Sequence, residues 1–386
     1  MKRILHISKY YYPFLGGTEQ VARDIAKALA DVEDIEQKII CFNEDAEKDG
    51  VICSHQETVQ DTVDGVDVIR CGYEMKVSSQ AISMSYGKEL KKIIVTFKPH
   101  IIFLHYPNPF VTHFLLKYID SDTKLYVYWH LDITKQKILK HFIHGQNLRL
   151  INRATKILGA TPKHLDESAY TPYFSDKKYI LPYTIDEESL VLNESELEKA
   201  NEIKKQYDGY ALGFFIGRHV PYKGLKYLIE ASKKINNVRV KFLIAGTGEL
   251  TEELKTQAKG DDKVIFLGKI TDSERRSYLK ACDIICFPSI TRNEGFGLAL
   301  AEGMYFGKPA VTFTIPGSGV NYVNLDDVTG IECPNGDIDA YAEAIKKLCE
   351  DTKLRLSLGE AARKRIQDNF TQKKFKENII KIISND

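Results

Sequence analysis

Apolar runs of strand length alternate with amphipathic helical patterns along the chain, and this alternation restricts the fold more than any other feature. In the first half the predicted strands cover residues 2–8, 37–43, 66–71, 100–106, 124–130, 156–160 and 177–182. In the second half they cover 210–217, 239–245, 263–268, 283–288 and 309–314. Continuous apolar strands separated by helices are typical of parallel sheets covered on both faces. The pattern predicts an α/β protein with two doubly wound, Rossmann-like domains.

The polar, charged segment 186–207 marks the predicted joint, because a fresh apolar strand follows it. We expect one domain over 1–185 and a second over 208–369. The last segment, 370–386, is a basic amphipathic helix that we expect to pack back on the first domain. A chain of 386 residues is too long for one ordinary core and suits this division.

Composition excludes several classes of protein. A net charge of +1 argues against a nucleic-acid partner. No apolar run approaches the roughly 20 residues of a transmembrane helix. The seven cysteines are scattered and form no CxxC pair, which favours reduced thiols in a cytoplasmic protein over a zinc site.

Two carboxylates in the segment from Glu294 to Glu302, EGFGLALAE, are the strongest chemical signal. The first lies in a glycine-rich loop and the second in an apolar helix, and neither has a cation beside it in the sequence. A buried carboxylate is costly unless something donates hydrogen bonds to it. Sugar hydroxyls are such donors, so the segment predicts a neutral, polyhydroxylated ligand. The backbone amides expected to face it are those of Gly295, Phe296, Gly297 and Leu298.

Two cations follow the strand that opens the second half. Arg218 and Lys223 supply a planar fork and a point charge, a pair suited to the two phosphates of a diphosphate. The next two strands end near Gly246 and near Lys269 and Ile270, which are placed to flank a nucleoside. With the carboxylates, these residues predict a nucleotide-sugar site.

The first half carries weaker signals at the ends of its strands. Gly16 and Gly17 enter a helix, where backbone amides can approach a phosphate, although a plain glycine turn fits equally. His130 ends a strand and faces the expected cleft, and a core histidine is the alternative. His105 and Asn108 follow the preceding strand and are candidates for contact with an acceptor hydroxyl.

Residues 135–156 contain six Lys or Arg and no Asp or Glu. A basic stretch with interleaved apolar residues is compatible with docking on an anionic membrane surface. A helix pair with a solvated basic face is the alternative.

Two Asp-x-Asp pairs, Asp120–Asp122 and Asp337–Asp339, resemble carboxylate pairs that hold divalent metals on nucleotide-sugars in other folds. The first lies away from strand carboxyl ends, and the second fits a helix N-terminus. We therefore expect no metal site and no cofactor.

Taken together, the Glu294-x7-Glu302 segment, the Arg218–Lys223 turn and the Gly16–Gly17 loop resemble the retaining glycosyltransferases of family 4, which have the GT-B fold. That resemblance implies two Rossmann-like domains facing each other across a cleft. It also implies that Arg218 and Lys223 bind the donor diphosphate, Glu294 the donor sugar and Glu302 the ribose.

The resemblance extends to the first half of the chain. By it, Gly16 and Gly17 would approach the phosphate or the acceptor, and His130 would sit beside the reacting sugar. The segments His105–Pro109 and Trp129–Asp132 are similar to bacterial cell-surface polysaccharide mannosyltransferases, although Leu131 stands where those proteins usually have serine.

The implied reaction moves a hexose, from GDP-mannose or a UDP-sugar, to a hydroxyl of a saccharide acceptor that is free or lipid-linked. The expected enzyme retains the α configuration, needs no metal, and works in the cytoplasm or on the inner face of the membrane. Retention leaves two routes open: Glu294 as a nucleophile, or attack of the acceptor from the leaving-group side. The resemblance favours the second route.

Other functions stay open at this point. A non-catalytic subunit that binds nucleotide-sugars and a phosphorylase or sugar-nucleotide epimerase would use the same architecture. An NAD-dependent dehydrogenase has only Gly246-Thr-Gly248 in its favour, and that motif lacks a third glycine.

Overall fold

Two largely parallel sheets organise the chain, one in each of two units: Met1–Pro182 with Phe375–Asp386, and Tyr183–Lys374. The computed structural model describes residues 1–14, 17–44, 47–48, 51–52, 54–77, 80–133 and 137–384. At 47–48, 51–52, 77, 80 and 137–142 it describes the backbone alone.

The first unit holds twelve strands within its described residues. They are β1 (Lys2–Ile7), β2 (Ile35–Phe42), β3 (Glu47–Lys48), β4 (Val51–Ile52), β5 (Val59–Val63), β6 (Val66–Cys71), β7 (Met75–Val77), β8 (Gln80–Ile82), β9 (Ile101–Tyr106), β10 (Lys124–Trp129), β11 (Lys156–Gly159) and β12 (Lys178–Ile180). Eight of them form one sheet in the order β12-β11-β10-β9-β1-β2-β6-β5, and the remaining four make two short antiparallel ribbons. All neighbours in the sheet are parallel except β5 and β6.

Helices cover both faces of this sheet. They are α1 (Gly17–Ala30), α2 (Met84–Phe97), α3 (Pro109–Tyr118), α4 (Lys137–Arg153), α5 (Pro162–Asp166), α6 (Thr171–Phe174) and, from the end of the chain, α15 (Gln372–Ser384). Ala22 and Ala26 of α1 pack with Ile39 on one face, while Leu90 of α2 and Leu150 of α4 join the larger cluster on the other. Alternate residues of a strand point to opposite faces, so each central strand contributes to both layers.

The second unit contains a six-stranded sheet that is parallel throughout. Its strands are β13 (Ala211–Ile216), β14 (Val240–Ala245), β15 (Val264–Gly268), β16 (Ile284–Phe287), β17 (Ala310–Phe313) and β18 (Gly330–Cys333), in the order β15-β14-β13-β16-β17-β18. Because the strands are parallel, the loops that follow them lie along one edge of the sheet. That edge carries the residues predicted to bind a nucleotide-sugar.

The helices of the second unit are α7 (Glu194–Gln206), α8 (Leu225–Lys234), α9 (Thr251–Gln257), α10 (Asp272–Ala281), α11 (Leu298–Tyr305), α12 (Val320–Val323), α13 (Ile338–Glu350) and α14 (Thr352–Asn369). The segment predicted as a linker, 186–207, therefore carries helix α7. A capping box closes its start, where Asn193 accepts from the Glu196 amide and Glu196 accepts from the Asn193 amide. In the described part of the chain, no helix combines the length and apolar character needed to cross a bilayer.

Candidate active site

Lys223 is held by a turn that packs directly on a neighbouring loop of the second unit. A 3-10 turn over Pro221–Lys223 follows β13, and Gly224 adopts the left-handed conformation, with φ +67°. A Cβ at Gly224 would lie 2.0 Å from the Pro288 carbonyl oxygen, so only glycine fits this close approach. The Ile290 amide also donates to the Tyr222 carbonyl at 3.0 Å, which ties the turn to the loop after β16.

The structure pairs the predicted phosphate cation with the predicted sugar carboxylate. Lys223 Nζ lies 2.5 Å from Glu294 Oε2, and the two side chains are 13% and 11% exposed. Ser289 Oγ donates to the same oxygen at 3.1 Å. No cation stands beside Glu294 in the sequence, but the fold supplies one from a loop 71 residues away.

The backbone of the Glu294 loop is held by a second loop that the sequence did not mark as important. Ser318 Oγ donates to the Glu294 carbonyl, and the Gly319 amide donates to the Gly295 carbonyl at 3.0 Å. A Cβ at Gly319 would lie 2.2 Å from that carbonyl oxygen. A serine followed by glycine is too common a pair to reveal this role from sequence.

The glycines around Phe296 differ in their exposure. Gly297 has φ +86° and directly precedes α11, which begins at Leu298. Phe296 is buried, with ring centroids 5.4 Å from Tyr183 and 5.3 Å from Phe370. Gly295 and Leu298 are partly exposed, so their amides are the more accessible of the four predicted here.

Glu302 also has a cation partner that sequence reasoning missed. Arg275 of α10 donates from Nη1 to Glu302 Oε2, and both side chains are 19% exposed. The same guanidinium lies 3.3 Å from Asp272. The fold thus supplies a cation that the sequence around Glu302 lacks. Nothing in the sequence near Arg275 distinguishes it from a solvated helix residue.

The remaining predicted donor residues lie on the loops after β13, β14 and β15. Gly246 has φ +112°, and a Cβ there would lie 2.0 Å from the Gly217 carbonyl oxygen, so the first two loops touch. Its amide donates to the Gly268 carbonyl at 2.7 Å, which brings in the third loop. Lys269 is exposed and Ile270 partly buried. Arg218 is exposed, and it forms no ion pair or side-chain hydrogen bond with any described residue.

His219 lies between these loops and was not singled out from the sequence. It is 1% exposed, its Nδ1 lies 3.0 Å from Thr251 Oγ1, and burial lowers its pKa. Its backbone accepts from the Leu250 amide and donates to the Thr247 carbonyl. These contacts hold the loop after β13 beside the loop after β14, so His219 supports the residue before it, Arg218.

In the first unit, a buried arginine anchors the loop that leads to the double glycine. Arg70 is fully buried, donates from Nη2 to the Tyr12 carbonyl at 2.5 Å, and donates from Nε to Asp61 at 2.9 Å. Gly17 is exposed and begins α1, whereas Gly16 lies outside the described residues.

The structure brings two predicted histidines together. His105 Nδ1 lies 3.1 Å from His130 Nε2, and the side chains are 0% and 4% exposed. Burial lowers the pKa of His105 to about 3, with His6 adding to the effect. Burial, with His105 and His164 nearby, lowers the pKa of His130 well below its ordinary value. Both imidazoles are therefore neutral at physiological pH.

The loops beside this pair are fixed by side chains. Asn108 is fully buried at the N-cap of α3, and its carbonyl accepts from Thr112 Oγ1 at 2.8 Å. Asp132 accepts at 2.8 Å from Trp129 Nε1, from Ser168 Oγ and from the Ala169 amide. The acidic residue that closes the predicted Trp129–Asp132 segment thus anchors the loop after β10.

The basic stretch 135–156 is partly engaged in the fold of the first unit. Residues 135 and 136 lie outside the described residues. Arg153 donates to the Thr123 carbonyl at 2.7 Å, and Lys156 donates to the Ile382 carbonyl at 2.6 Å. Arg149 is exposed. Across the described residues, no group of three or more His, Cys, Asp or Glu side chains is placed to hold a metal ion.

Several known proteins are similar to this chain. Residues 197–365 match the family model of glycosyl transferases group 1. The O-antigen chain mannosyltransferase C of Escherichia coli is 27% identical over 372 residues, covering 96% of this chain and 94% of that protein. The D-rhamnosyltransferase WbpZ of Pseudomonas aeruginosa is 26% identical over 374 residues, covering 96% and 92%.

A solved structure supports the fold independently. The Anabaena protein HepE in complex with UDP superimposes with a TM-score of 0.74 at 17% identity, covering 100% of both chains. That likeness confirms the predicted α/β architecture with parallel sheets. Residues 197–365 are thus a glycosyl transferase group 1 domain, and the chain has the GT-B fold.

Proposed function

We propose that this enzyme transfers a hexose from a nucleoside diphosphate sugar to a hydroxyl of a saccharide acceptor, with retention of the α configuration. The observation that carries the proposal is the Lys223–Glu294 pair at the strand ends of the second unit, with Arg218 exposed on the same turn. A cation for phosphate and a carboxylate for sugar hydroxyls are held together there. Such a site fits a ligand in which a phosphate and a sugar are adjacent.

The two cations act on the leaving group. As the glycosidic bond breaks, negative charge grows on the diphosphate, and preorganised positive groups stabilise that charge. Arg218 supplies a planar fork for two phosphate oxygens, and Lys223 supplies an ammonium with three donors. One of those donors is used by Glu294, so the others are available to phosphate. These charges make a metal ion unnecessary for donor activation.

Glu294 is oriented for the donor sugar. Both of its side-chain contacts among the described residues, from Lys223 and Ser289, go to Oε2. Oε1 is then the oxygen that accepts from sugar hydroxyls. Glu302, oriented by Arg275, accepts from the ribose hydroxyls of the same donor.

Retention follows the route in which the acceptor attacks from the leaving-group side. A glutamate already bonded to an ammonium and a hydroxyl is a weaker nucleophile, because both contacts stabilise its lone pairs. The departing phosphate takes the acceptor proton instead. His130, in the first unit, contacts the reacting sugar through a ring nitrogen.

The donor is a GDP-sugar of the mannose series, and the acceptor is lipid-linked. The named activities of the two relatives, mannosyl and rhamnosyl transfer, support the sugar, while HepE was solved with UDP and with UDP-glucose, which makes UDP-glucose the competing donor. Arg149, exposed on α4, is part of the basic stretch that would meet an anionic membrane surface from the cytoplasmic side.

Donor binding and turnover test the proposal together. We expect GDP-mannose at about 100 times its Kd to stabilise the protein by roughly 2.7 kcal/mol, visible as a thermal shift that survives EDTA. Arg218→Ala and Glu294→Ala should each lower kcat by about 10²–10³. Lys226→Ala, at an exposed position of α8, is the matched control and should leave kcat unchanged.

The outcomes separate the proposal from its alternatives. Binding of a nucleotide-sugar without transfer to any saccharide would identify a binding subunit instead of an enzyme. Near-normal turnover in Arg218→Ala or Glu294→Ala would contradict the assigned roles. Product with inverted configuration, read from the anomeric coupling by NMR, would contradict retention.

A further inference from the structure

The two histidines of the first unit form a rigid pair. His105 lies on β9 and His130 directly follows β10, and the rings are near parallel, with centroids 5.4 Å apart and an interplanar angle of 20°. Tyr128 stacks on both, at 5.9 Å from His105 and 4.4 Å from His130. The His130 amide donates to the Tyr106 carbonyl at 3.0 Å, which fixes the backbone.

Hydrogen bonding restricts the protonation of this pair. A bond between two neutral imidazoles needs one N–H and one bare nitrogen. If His130 Nε2 were the donor, His105 would carry its proton on Nε2, which is buried and has no partner among the described residues. If His105 Nδ1 is the donor instead, His105 Nε2 carries no proton and is a buried nitrogen without a hydrogen to donate. An orphaned buried N–H is the rarer of the two defects in folded proteins, so the second arrangement is preferred.

We propose that His105 is a positioning residue that donates its Nδ1–H to His130 Nε2 and thereby holds His130 as the Nδ1–H tautomer. With Nε2 committed to His105, Nδ1 is the nitrogen through which His130 acts on another group, and it acts as a hydrogen-bond donor. The sequence suggested that His105 contacts the acceptor. Because His105 is fully buried, it acts through His130 instead.

The link to catalysis rests on the proposed function of His130, while the tautomer itself does not. A donor fixed in one orientation requires no reorganisation when an oxygen of the sugar arrives. A histidine free to exchange tautomers would present a donor only part of the time. The pair is therefore expected to affect the transfer step more than binding of the donor.

Three variants of His105 distinguish the contribution of its ring nitrogens from that of the shape of the ring. His105→Phe keeps a ring of similar shape without nitrogen, and His105→Asn places an amide N–H near the position of Nδ1. His105→Gln places its amide near the position of Nε2 instead. In ¹⁵N-histidine-labelled protein without donor, long-range ¹H–¹⁵N spectra report the tautomer of His130, whose signals are identified by their loss in His130→Gln.

We expect the wild type to show His130 as the Nδ1–H tautomer, His105→Asn to preserve it, and His105→Phe and His105→Gln to lose it. By analogy with partners that orient metal-bound histidines, kcat should fall about 10- to 100-fold in His105→Phe. KM for the donor should change little, and His105→Asn should recover most of the rate.

Several results would overturn the inference. An Nε2–H tautomer of His130 in the wild type does so alone, without any variant having to fold. So does an unchanged Nδ1–H tautomer in His105→Phe. A lost tautomer with unchanged kcat would overturn the link to transfer. Absence of transfer activity in the wild type would instead contradict the proposed function, and the spectra would still decide the tautomer.

Discussion

Lys223 Nζ lies 2.5 Å from Glu294 Oε2, and both side chains are largely buried. Removing one partner of such a pair leaves the other charge without compensation. We expect Lys223→Met and Glu294→Gln each to lower the free energy of unfolding of the second unit by about 2–3 kcal/mol, below the range for fully buried pairs. The double variant should lose less free energy of unfolding than the sum of the losses in the two single variants, as measured by denaturant unfolding. An additive cycle would show that the two residues are not coupled.

Arg275 should control nucleotide binding through Glu302. Arg275→Met leaves the carboxylate without its cation, so its orientation toward ribose hydroxyls is lost, and we expect GDP to bind about tenfold more weakly by titration calorimetry. Asp272→Asn removes the other partner of Arg275 and keeps the Glu302 pair, so it is the matched control. Equal affinities for GDP in both variants would contradict the role given to Glu302.

The Glu196–Arg276 ion pair predicts an acid-sensitive contact between α7 and α10. Arg276 lowers the pKa of Glu196 from 4.5 to about 2. A carboxylate whose pKa is depressed by folding stabilises the folded state above its unfolded pKa, and that contribution is lost as the pH falls toward 2. Glu196→Gln should therefore lower the urea midpoint at pH 7, and the gap to the wild type should narrow below about pH 4.5. Glu194→Gln, at an exposed site on α7, should leave the urea midpoint equal to that of the wild type at both pH values.

Buried histidines make the first unit sensitive to mild acid. Burial lowers the pKa of His6 from 6.5 to about 4. Just below pH 6.5 the unfolded chain therefore binds a proton at this histidine, whereas the folded chain does not. Each such histidine removes up to about 1.4 kcal/mol of stability per pH unit in this window. His6→Gln should reduce the fall in urea midpoint between pH 7.5 and 5.5. His113→Gln, exposed on α3, should leave that slope unchanged.

The central strands were predictable because each is a continuous apolar run, and helix α7 was missed although its signal is present. Asn193 and Glu196 have the spacing of a capping box, but the helix that follows buries few apolar residues and reads as a linker. Strand β5, with the sequence VQDTV, was missed because it lies at the sheet edge and is half polar.

The candidate site was predictable only as a set of loops. Parallel strands bring their carboxyl ends to one edge, so Arg218, Lys223 and Glu294 could be grouped from sequence. The pairing of Glu302 with Arg275, and of His105 with His130, depends on tertiary contacts between distant segments. No local spacing encodes such contacts, so these pairs had to come from the structure.

The first unit is built from two separate stretches of chain, and the second from one. Phe375 and the residues after it return to the first unit, where Lys2 and Lys156 donate to the carbonyls of Ile383 and Ile382. During synthesis the ribosome therefore releases all of the second unit before the first can acquire its last helix. The second unit can therefore fold first. The strands of the first unit, although made earlier, lack until then a segment that is made almost two hundred residues later.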